Sequence, residues 1–437
     1  MGANIRKITL ELLRSYEEEG RYVNLLLSSS KLRGLTPDER GAVTSLLYTA
    51  VEKKLTYDYF ISCFAKRQIS EIDPYVRDVL RLGMCQIIDM KSIPDFAAVN
   101  ESVKLARHGG EKSFVNAVLR RAVKEKNAPP YPKREKNNLR YLSVFYSVPY
   151  KTVKFFASVF GESECESLLS AFSSNEGFGI TVNEAKISRD ELMSKLEHLG
   201  ADKSKYTANG IVFKKSIPPK ELPGFDKGEF FVQDEASRIA AAVLDAREGE
   251  TVIDVCSAPG GKALATAIRV KKSGNVYAFD LHSSKLSLIE ESASRLGLSN
   301  IEVRELDATV ADKTLFGAAD RVICDVPCSG LGVFAKKPDL RYKDLASLQE
   351  LPPLQYKILT ESAKYLKQGG VLIYSTCTLN PDENERITDR FIQENSDFTY
   401  EEFSVGEISA QSGKITLLPH KHGTDGFYIA KLRKNND

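Results

Sequence analysis

The sequence predicts a multidomain chain. An all-α N-terminal domain is followed by a small α+β middle module and a C-terminal α/β doubly wound, Rossmann-like domain. Three observations carry this. At 437 residues the chain is too long for one ordinary domain. Up to about residue 126 it shows helix-start signals followed by apolar residues at helical spacing. From about 236, short strand-like runs alternate with helical stretches, the pattern of a parallel sheet with crossover helices.

In the N-terminal domain, "TPDER" (36–40) reads as a helix start, with Thr36 at the N-cap, Pro37 at the first helical position and Glu39 closing a capping box. Val43, Leu46, Leu47 and Val51 follow on one face. Asp73 and Pro74 open a second helix the same way, and Cys85 lies inside its apolar run as a core thiol. A last helical stretch runs from Ser113 to Lys126. "NAPPYPKREKNN" (127–138), with three prolines and no periodicity, reads as part of a basic linker over 127–141. Residues 142–235 form the middle module, with strands at "FGITVN" (178–183) and "GIVFKK" (210–215). The helix between them is capped by Ser188 and Glu191 and ended by Gly200; His198 on it reads as a surface or core residue rather than a ligand. In the C-terminal domain, 236–437, the strands are TVIDV (251–255), NVYAFD (275–280), IEVREL (301–306), RVICD (321–325) and GVLIYS (370–375), with "DGFYIAKLRK" (425–434) as an edge strand.

Composition excludes several classes. The chain is 42% hydrophobic and 27% charged, has no apolar run of membrane-spanning length, and has no basic-then-apolar leader. Gly2 is not followed by a serine or threonine at the sixth position, against myristoylation. Seven scattered cysteines indicate free thiols in a reducing, cytoplasmic setting. Net charge is only +2, yet residues 101–141 hold eleven basic residues against four acidic ones, a local +7. Two readings stand: a solvated helix face with a polar linker, or a surface that contacts nucleic-acid phosphates.

Two sites carry chemistry. "VIDVCSAPGGKALATA" (252–267) is strand, tight turn, helix, with Gly260 and Gly261 letting backbone approach a ligand at a helix N-terminus. Asp280 ends the next strand, where an acid holds ribose hydroxyls. The dinucleotide pattern G-x-G-x-x-G is absent, and Asp307 and Asp325 place further carboxylates along the ligand crevice. Carboxylates suit a sulfonium and an adenine amine; they would repel a pyrophosphate. The second site is Cys328 in "DVPCSG" and Cys377 in "YSTCTL", at the C-terminal ends of neighbouring strands. No close ligand spacing supports a metal. Cys324 lies within its strand and reads as a packed thiol; Cys328 and Cys377 lie on loops, where function concentrates. A thiol beside a methyl donor suits methylation of pyrimidine carbon 5. Thiolate addition to carbon 6 makes carbon 5 nucleophilic, and a second group must then assist release. Which cysteine attacks is left open by the residues alone.

At these residues the chain resembles the RNA cytosine-5 methyltransferases, most closely the bacterial 16S ribosomal RNA methyltransferase B group. "FVQDEAS" (231–237), "CSAPGGK" (256–262), "DVPCSGLGVFAKKPDLRY" (325–342), "STCTLNPDENE" (375–385) and "DGFYIAKLRK" carry the resemblance. "YVNLLL" (22–27) and "FVNAVLRR" (114–121) resemble the NusB-type helical RNA-binding domain, here 1–126. The resemblance implies that Cys256, Ser257, Ala258, Pro259, Gly260, Gly261 and Lys262 form the S-adenosylmethionine loop. Asp280 would hold the ribose, Asp307 would meet the adenine, and Asp325 would lie between cofactor and base. It further implies Cys377 as the covalent nucleophile and Cys328 as the cysteine that assists release. The implied partner is 16S ribosomal RNA, with neither metal nor membrane, acting as a monomer. Two departures stand out: Ala263 where a threonine is common, which removes a hydroxyl near the cofactor loop, and Thr181 where many members have arginine, which weakens an RNA phosphate contact.

Overall fold

The computed structural model describes residues 5–174, 177–215 and 217–436; Gly2 lies outside them. The chain divides into two compact units, a helical one that runs to Ser173 and a second one that starts at Ser174.

The helical unit contains α1 (Ile5–Glu19), α2 (Val23–Leu27), α3 (Pro37–Glu52), α4 (Lys54–Ala65), α5 (Pro74–Ile88), α6 (Asp95–Leu105) and α7 (Gly109–Glu125). The capping box at Thr36 and Glu39 and the Asp73 cap form as the sequence indicates. Cys85 is buried in the core among Val79, Leu82 and Leu119. Three further helices belong to the same unit: α8 (Asn138–Phe145), α9 (Tyr150–Phe160) and α10 (Glu162–Ser173). The change to α+β expected near 142 therefore comes after Ser173. The reason is aromatic: Tyr131 of the expected linker sits edge-on to Phe60 at 5.0 Å, and Tyr141 stacks on Phe145 at 5.3 Å. The basic stretch is also less free than its composition suggests. Lys104, Arg107, Arg121, Lys126 and Arg134 are ion-paired with carboxylates.

Residues Lys336–Leu345, from the middle of the C-terminal sequence, also cluster with this helical unit. Arg341 is buried there, its guanidinium donating to the Phe172 carbonyl at 3.0 Å and reaching Glu52 at 3.3 Å. The Tyr342 hydroxyl donates to the Glu52 carbonyl at 2.9 Å. The segment that follows Cys328 in sequence is thus anchored by a buried, fully directional cation rather than left as a loop.

Among the described residues the second unit holds two main sheets and a separate two-stranded hairpin. The small one pairs β1 (Phe178–Val182), β2 (Ala201–Lys203), β3 (Gly210–Phe213) and β4 (Phe230–Val232) in the antiparallel order β2-β3-β1-β4. Its one long helix is α11 (Arg189–Leu196), capped by Ser188 and Glu191, and Gly200 closes the following turn at φ +78°. His198 is exposed. Asn183 pins this sheet to the larger layer: its amide donates to the Gly228 carbonyl at 3.0 Å and to the Leu296 carbonyl at 2.9 Å, wholly buried.

The large sheet contains β5 (Thr251–Asp254), β6 (Asn275–Asp280), β7 (Ile301–Glu305), β8 (Ala319–Asp325) and β9 (Leu366–Thr376) as parallel strands. Next come β10 (Phe398–Tyr400), the separate hairpin of β11 (Phe403–Val405) and β12 (Ile408–Ala410), then β13 (Lys414–Leu417) and β14 (Phe427–Lys434). The order is β10-β14-β9-β8-β5-β6-β7, with β13 also on β14. The last strand is therefore not an edge. It lies antiparallel to β9, with β10 and β13 on its far side, where they satisfy the backbone groups that an edge strand would leave unpaired.

Alternation along each strand sorts the core into two layers. Val252, Ile323, Ile373 and Ile429 meet α12 (Glu235–Val243) and α13 (Gly261–Val270); Ile289 of α14 (Ser283–Leu296) joins the same layer. Ile253, Val322, Cys324, Leu372 and Tyr374 meet α15 (Leu351–Ala363) and α16 (Glu385–Glu394). Helices on both faces leave the C-terminal strand ends as the open rim.

Asn183→Ala orphans two buried carbonyls and is expected to lower the stability of this unit by about 2–3 kcal/mol. A denaturant midpoint equal to that of the unaltered chain would show that the pin carries no load.

Candidate active site

The turn after β5 is held by backbone bonds on both sides. Ser257 N–H donates to the Phe279 carbonyl and Gly260 N–H to the Ser257 carbonyl, each at 2.7 Å. The Ala258–Pro259 peptide is cis. Gly260 has φ +107°, which requires glycine, and a Cβ there would also crowd Ile289 at 3.2 Å. Gly261 then starts α13, whose free first-turn N–H groups face the crevice end of the sheet. Asp280, at the end of β6, accepts from Ala258 N–H at 3.2 Å and from His282 N–H at 3.1 Å, so one carboxylate sets the loop and the strand end together. Asp307, after β7, is exposed and accepts from Thr309 N–H at 2.8 Å, which holds its carboxyl below the usual range.

Beside these acids two large apolar side chains stand in water: Leu281 is 54% exposed and Val310 is 62% exposed. They follow the ends of the paired strands β6 and β7. A flat aromatic ring would cover them. Gln233 adds a buried amide nitrogen with no partner, beside the Gly261 turn. Acids for hydroxyls and an amine, open apolar side chains for a ring and an unpartnered donor at the glycine turn together fit a nucleoside ligand with a polar tail.

At the ends of β8 and β9 the two loop thiols meet: Cys328 Sγ lies 3.2 Å from Cys377 Sγ. The Cys377 sulfur and burial push the Cys328 thiol well above its ordinary range. Cys324, one strand position before Asp325, is buried, with Ser362 as its neighbour at 3.9 Å, and packs as the sequence indicates. Burial also raises Cys256, which argues against it as a nucleophile. Asp325 accepts from Lys262 Nζ at 2.6 Å and from the Ser375 hydroxyl at 2.6 Å. The cofactor-loop lysine, the acid of the fourth strand and the strand that carries Cys377 are thus one connected group.

Three residues that received no role from the sequence are drawn into the site: Gln233, Ser375 and Glu383. All three lie inside the motifs FVQDEAS and STCTLNPDENE, which mark them, but each is a common polar type with a partner some fifty residues away, so the motif alone does not say what it touches. Ala263 packs in the core with Ala236 and Ile239, in the cluster that the loop residue Ala258 also touches. One sequence expectation changes. Thr181 is buried, and its hydroxyl donates to Gln233 Oε1 at 2.6 Å, so it orients Gln233 instead of facing a phosphate. The nearest guanidinium is supplied by Arg238, buried, which bonds the Ile180 carbonyl from α12.

Asp254 lies beneath the loop, and burial pushes its carboxyl up to about 7, with Asp325 adding to the rise and Lys262 opposing it. The folded state therefore holds this proton more tightly than the unfolded chain does. The stability it contributes is complete below about pH 4 and is lost as pH rises through about 7. Asp254→Asn is expected to gain thermal stability relative to the unaltered chain as pH goes from 5 to 8. Melting curves with a constant gap across that range would refute this.

Comparison with known proteins agrees with this architecture. Residues 241–433 match the family model described as 16S rRNA methyltransferase RsmB/F, and residues 3–124 match the NusB family. A probable ribosomal RNA small subunit methyltransferase B from Bacillus subtilis is 35% identical over 99% of both chains. A tRNA (cytosine(72)-C(5))-methyltransferase from Pyrococcus horikoshii is 35% identical over 52% of this chain and 60% of its own. The crystal structure of PH0851 superimposes with a TM-score of 0.81 at 25% identity, covering 99% of this chain and all of that one. With a full-length relative at this identity and both family models in place, the chain belongs to the RsmB/F family of ribosomal RNA methyltransferases.

Proposed function

We propose that this enzyme methylates carbon 5 of a cytosine in 16S ribosomal RNA, in the cytoplasm, through a covalent bond between Cys377 and carbon 6 of the base. The observation that carries the reading is the pair of sulfurs 3.2 Å apart beside the Asp325–Lys262 ion pair. S-adenosylmethionine supplies an electrophilic methyl group. Its place is the loop Cys256–Lys262, with Asp280 on the ribose and Asp307 toward the adenine amine.

Cys377 as thiolate attacks carbon 6, forming the C–S bond and moving the ring electrons toward carbon 5. Asp325, anchored by Lys262 and Ser375, is positioned to hold the polar edge of the base while that charge develops. Carbon 5 takes the methyl group as the sulfonium C–S bond breaks. A base then takes the carbon 5 proton, the electron pair of that C–H bond re-forms the carbon 5–carbon 6 double bond, and the carbon 6–sulfur bond breaks to release Cys377 as thiolate; Cys328 assists at this step. The two sulfurs are within hydrogen-bonding distance, so a proton on one can be shared with the other as the C–S bond forms and breaks. Carbon 6 is inaccessible in a stacked helix, so the base must be unpaired or flipped. The 16S target is supported by the full-length match to the Bacillus subtilis protein; the tRNA-modifying relative matches only half of this chain. In the helical unit, Lys112, Arg120, Lys124, Lys133 and Lys136 have no ion-pair partner among the described residues and offer phosphate contacts.

Cys377→Ser is expected to abolish transfer of labelled methyl groups to ribosomal RNA; undiminished transfer would exclude Cys377 as nucleophile. Cys328→Ala is expected to accumulate a protein–RNA adduct, read as a slow band on a denaturing gel. Normal turnover without that band would remove Cys328 from the release step. Bisulfite sequencing of 16S ribosomal RNA from a deletion strain locates the cytosine, and an unchanged map would rule out this substrate.

A further inference from the structure

The two thiol loops are held together by one side chain that the proposed reaction does not use. Glu383 lies on the single turn Pro381–Glu383 after β9 and is wholly buried. Its Oε2 accepts the Ser329 N–H at 2.8 Å, from the residue directly after Cys328. The same oxygen accepts Gln355 Nε2 of α15 at 2.9 Å. Its Oε1 accepts Asn380 Nδ2 at 3.0 Å, three residues beyond Cys377. Gln355 Nε2 also reaches the carbonyl of Pro327, the residue before Cys328, at 2.9 Å. Both flanks of Cys328 therefore end on one carboxylate, directly or through one amide. A second clasp runs alongside, with the Ser329 and Thr378 hydroxyls 2.6 Å apart.

Such an arrangement is costly for folding alone. A buried carboxylate loses its hydration, and Glu383 has no ion pair among the described residues to offset that loss. An apolar side chain of similar size could fill the space at lower cost, but it would not fix two loops by three directional bonds.

We propose that Glu383 is a positioning residue for methyl transfer: its side chain locks the Cys328 loop to the Cys377 loop through three buried hydrogen bonds. The catalytic part of this rests on the covalent reading above; the clasp itself is measurable without RNA. The groups that face Cys328 are Cys377 on the neighbouring loop, Glu383 on the turn and Tyr374 on β9. Cys377 and burial raise the Cys328 thiol most, the Glu383 charge adds to the rise, and the Gly330 N–H opposes it. No cation stands among these causes, so removal of the Glu383 charge moves Cys328 toward the thiolate.

The test is alkylation of Cys328 by iodoacetamide as a function of pH, read by peptide mass spectrometry in a Cys377→Ser background. Glu383→Gln is expected to lower the midpoint by about one pH unit. Glu383→Asp keeps the charge and is expected to leave the midpoint in place. In enzyme with both cysteines intact, both substitutions are expected to lower kcat roughly 10- to 100-fold, through loop displacement, with KM for S-adenosylmethionine changed less than about threefold. An unmoved midpoint together with unchanged kcat overturns the proposal. If Glu383→Gln does not fold, Gln355→Met removes one donor from the carboxylate and should lower kcat in the same way; unchanged kcat overturns the proposal. Should Cys377→Ser remain fully active while the midpoints move as expected, the covalent reading fails and the clasp stands.

Discussion

Asp325 and Ser375 sit side by side in the parallel pairing of β8 and β9, and that register fixes everything the site can do. Three residues past Asp325 comes Cys328; two past Ser375 comes Cys377. Short exits of three and two residues from adjacent strands bring the sulfurs to 3.2 Å. Two thiolates at that distance would repel by about 5 kcal/mol at an effective dielectric constant of about 20, so one proton stays on the pair. At most one of the two sulfurs is therefore ionised at a time. The proposed attack by one cysteine and assisted release by the other call for such a pair, and neighbouring parallel strands bring it together without either cysteine leaving its own loop.

The rest of the unit maintains that register. Alternating residues on β5, β8 and β9 fill two core layers, so a slip of one residue would turn Ile323 and Ile373 into the layer occupied by Cys324 and Tyr374. At the rim, Gly332 N–H donates to the Cys377 carbonyl at 3.0 Å and Gly426 N–H to the Gly332 carbonyl at 2.8 Å. A Cβ on Gly332 would lie 2.0 Å from the Gly426 oxygen. The strands set the approximate position of the thiols, and these backbone straps remove the remaining freedom.

The parts legible in the sequence are those with local causes. Thr36 and Glu39, Asp73 and Pro74, and Ser188 and Glu191 act within four residues, and the strands NVYAFD and RVICD announce themselves by β-branched and aromatic content. The glycine turn and the two loop cysteines were legible because their chemistry is unusual for loops. The parts missed have distant causes. β2, β4 and β10 are three residues each, too short for a period to register. β14 gains two neighbours beyond β9 through segments that carry no strand signal of their own. Helices α8–α10 followed a proline-rich stretch that reads as a linker, and only the packing of Tyr131 and Tyr141 shows otherwise. Thr181 and Ala263 were read by their position in motifs, whereas burial decides what they touch.

The same distance problem explains the charge layout around Asp325. One cation, Lys262, lies between two acids contributed by β5 and β8. It pairs directly with Asp325, which also takes the Ser375 hydroxyl, while Asp254 lies deeper and is pushed toward its neutral form. A second cation is therefore not needed to neutralise the floor of the site. Asp307 is exposed at the rim instead, while Asp280 is buried against the backbone of the glycine turn. A positively charged methyl donor would meet Asp307 at the rim, Asp280 at the glycine turn and the compensated Asp325–Lys262 pair beyond them, so acids of one sign line its entry while the floor carries little net charge.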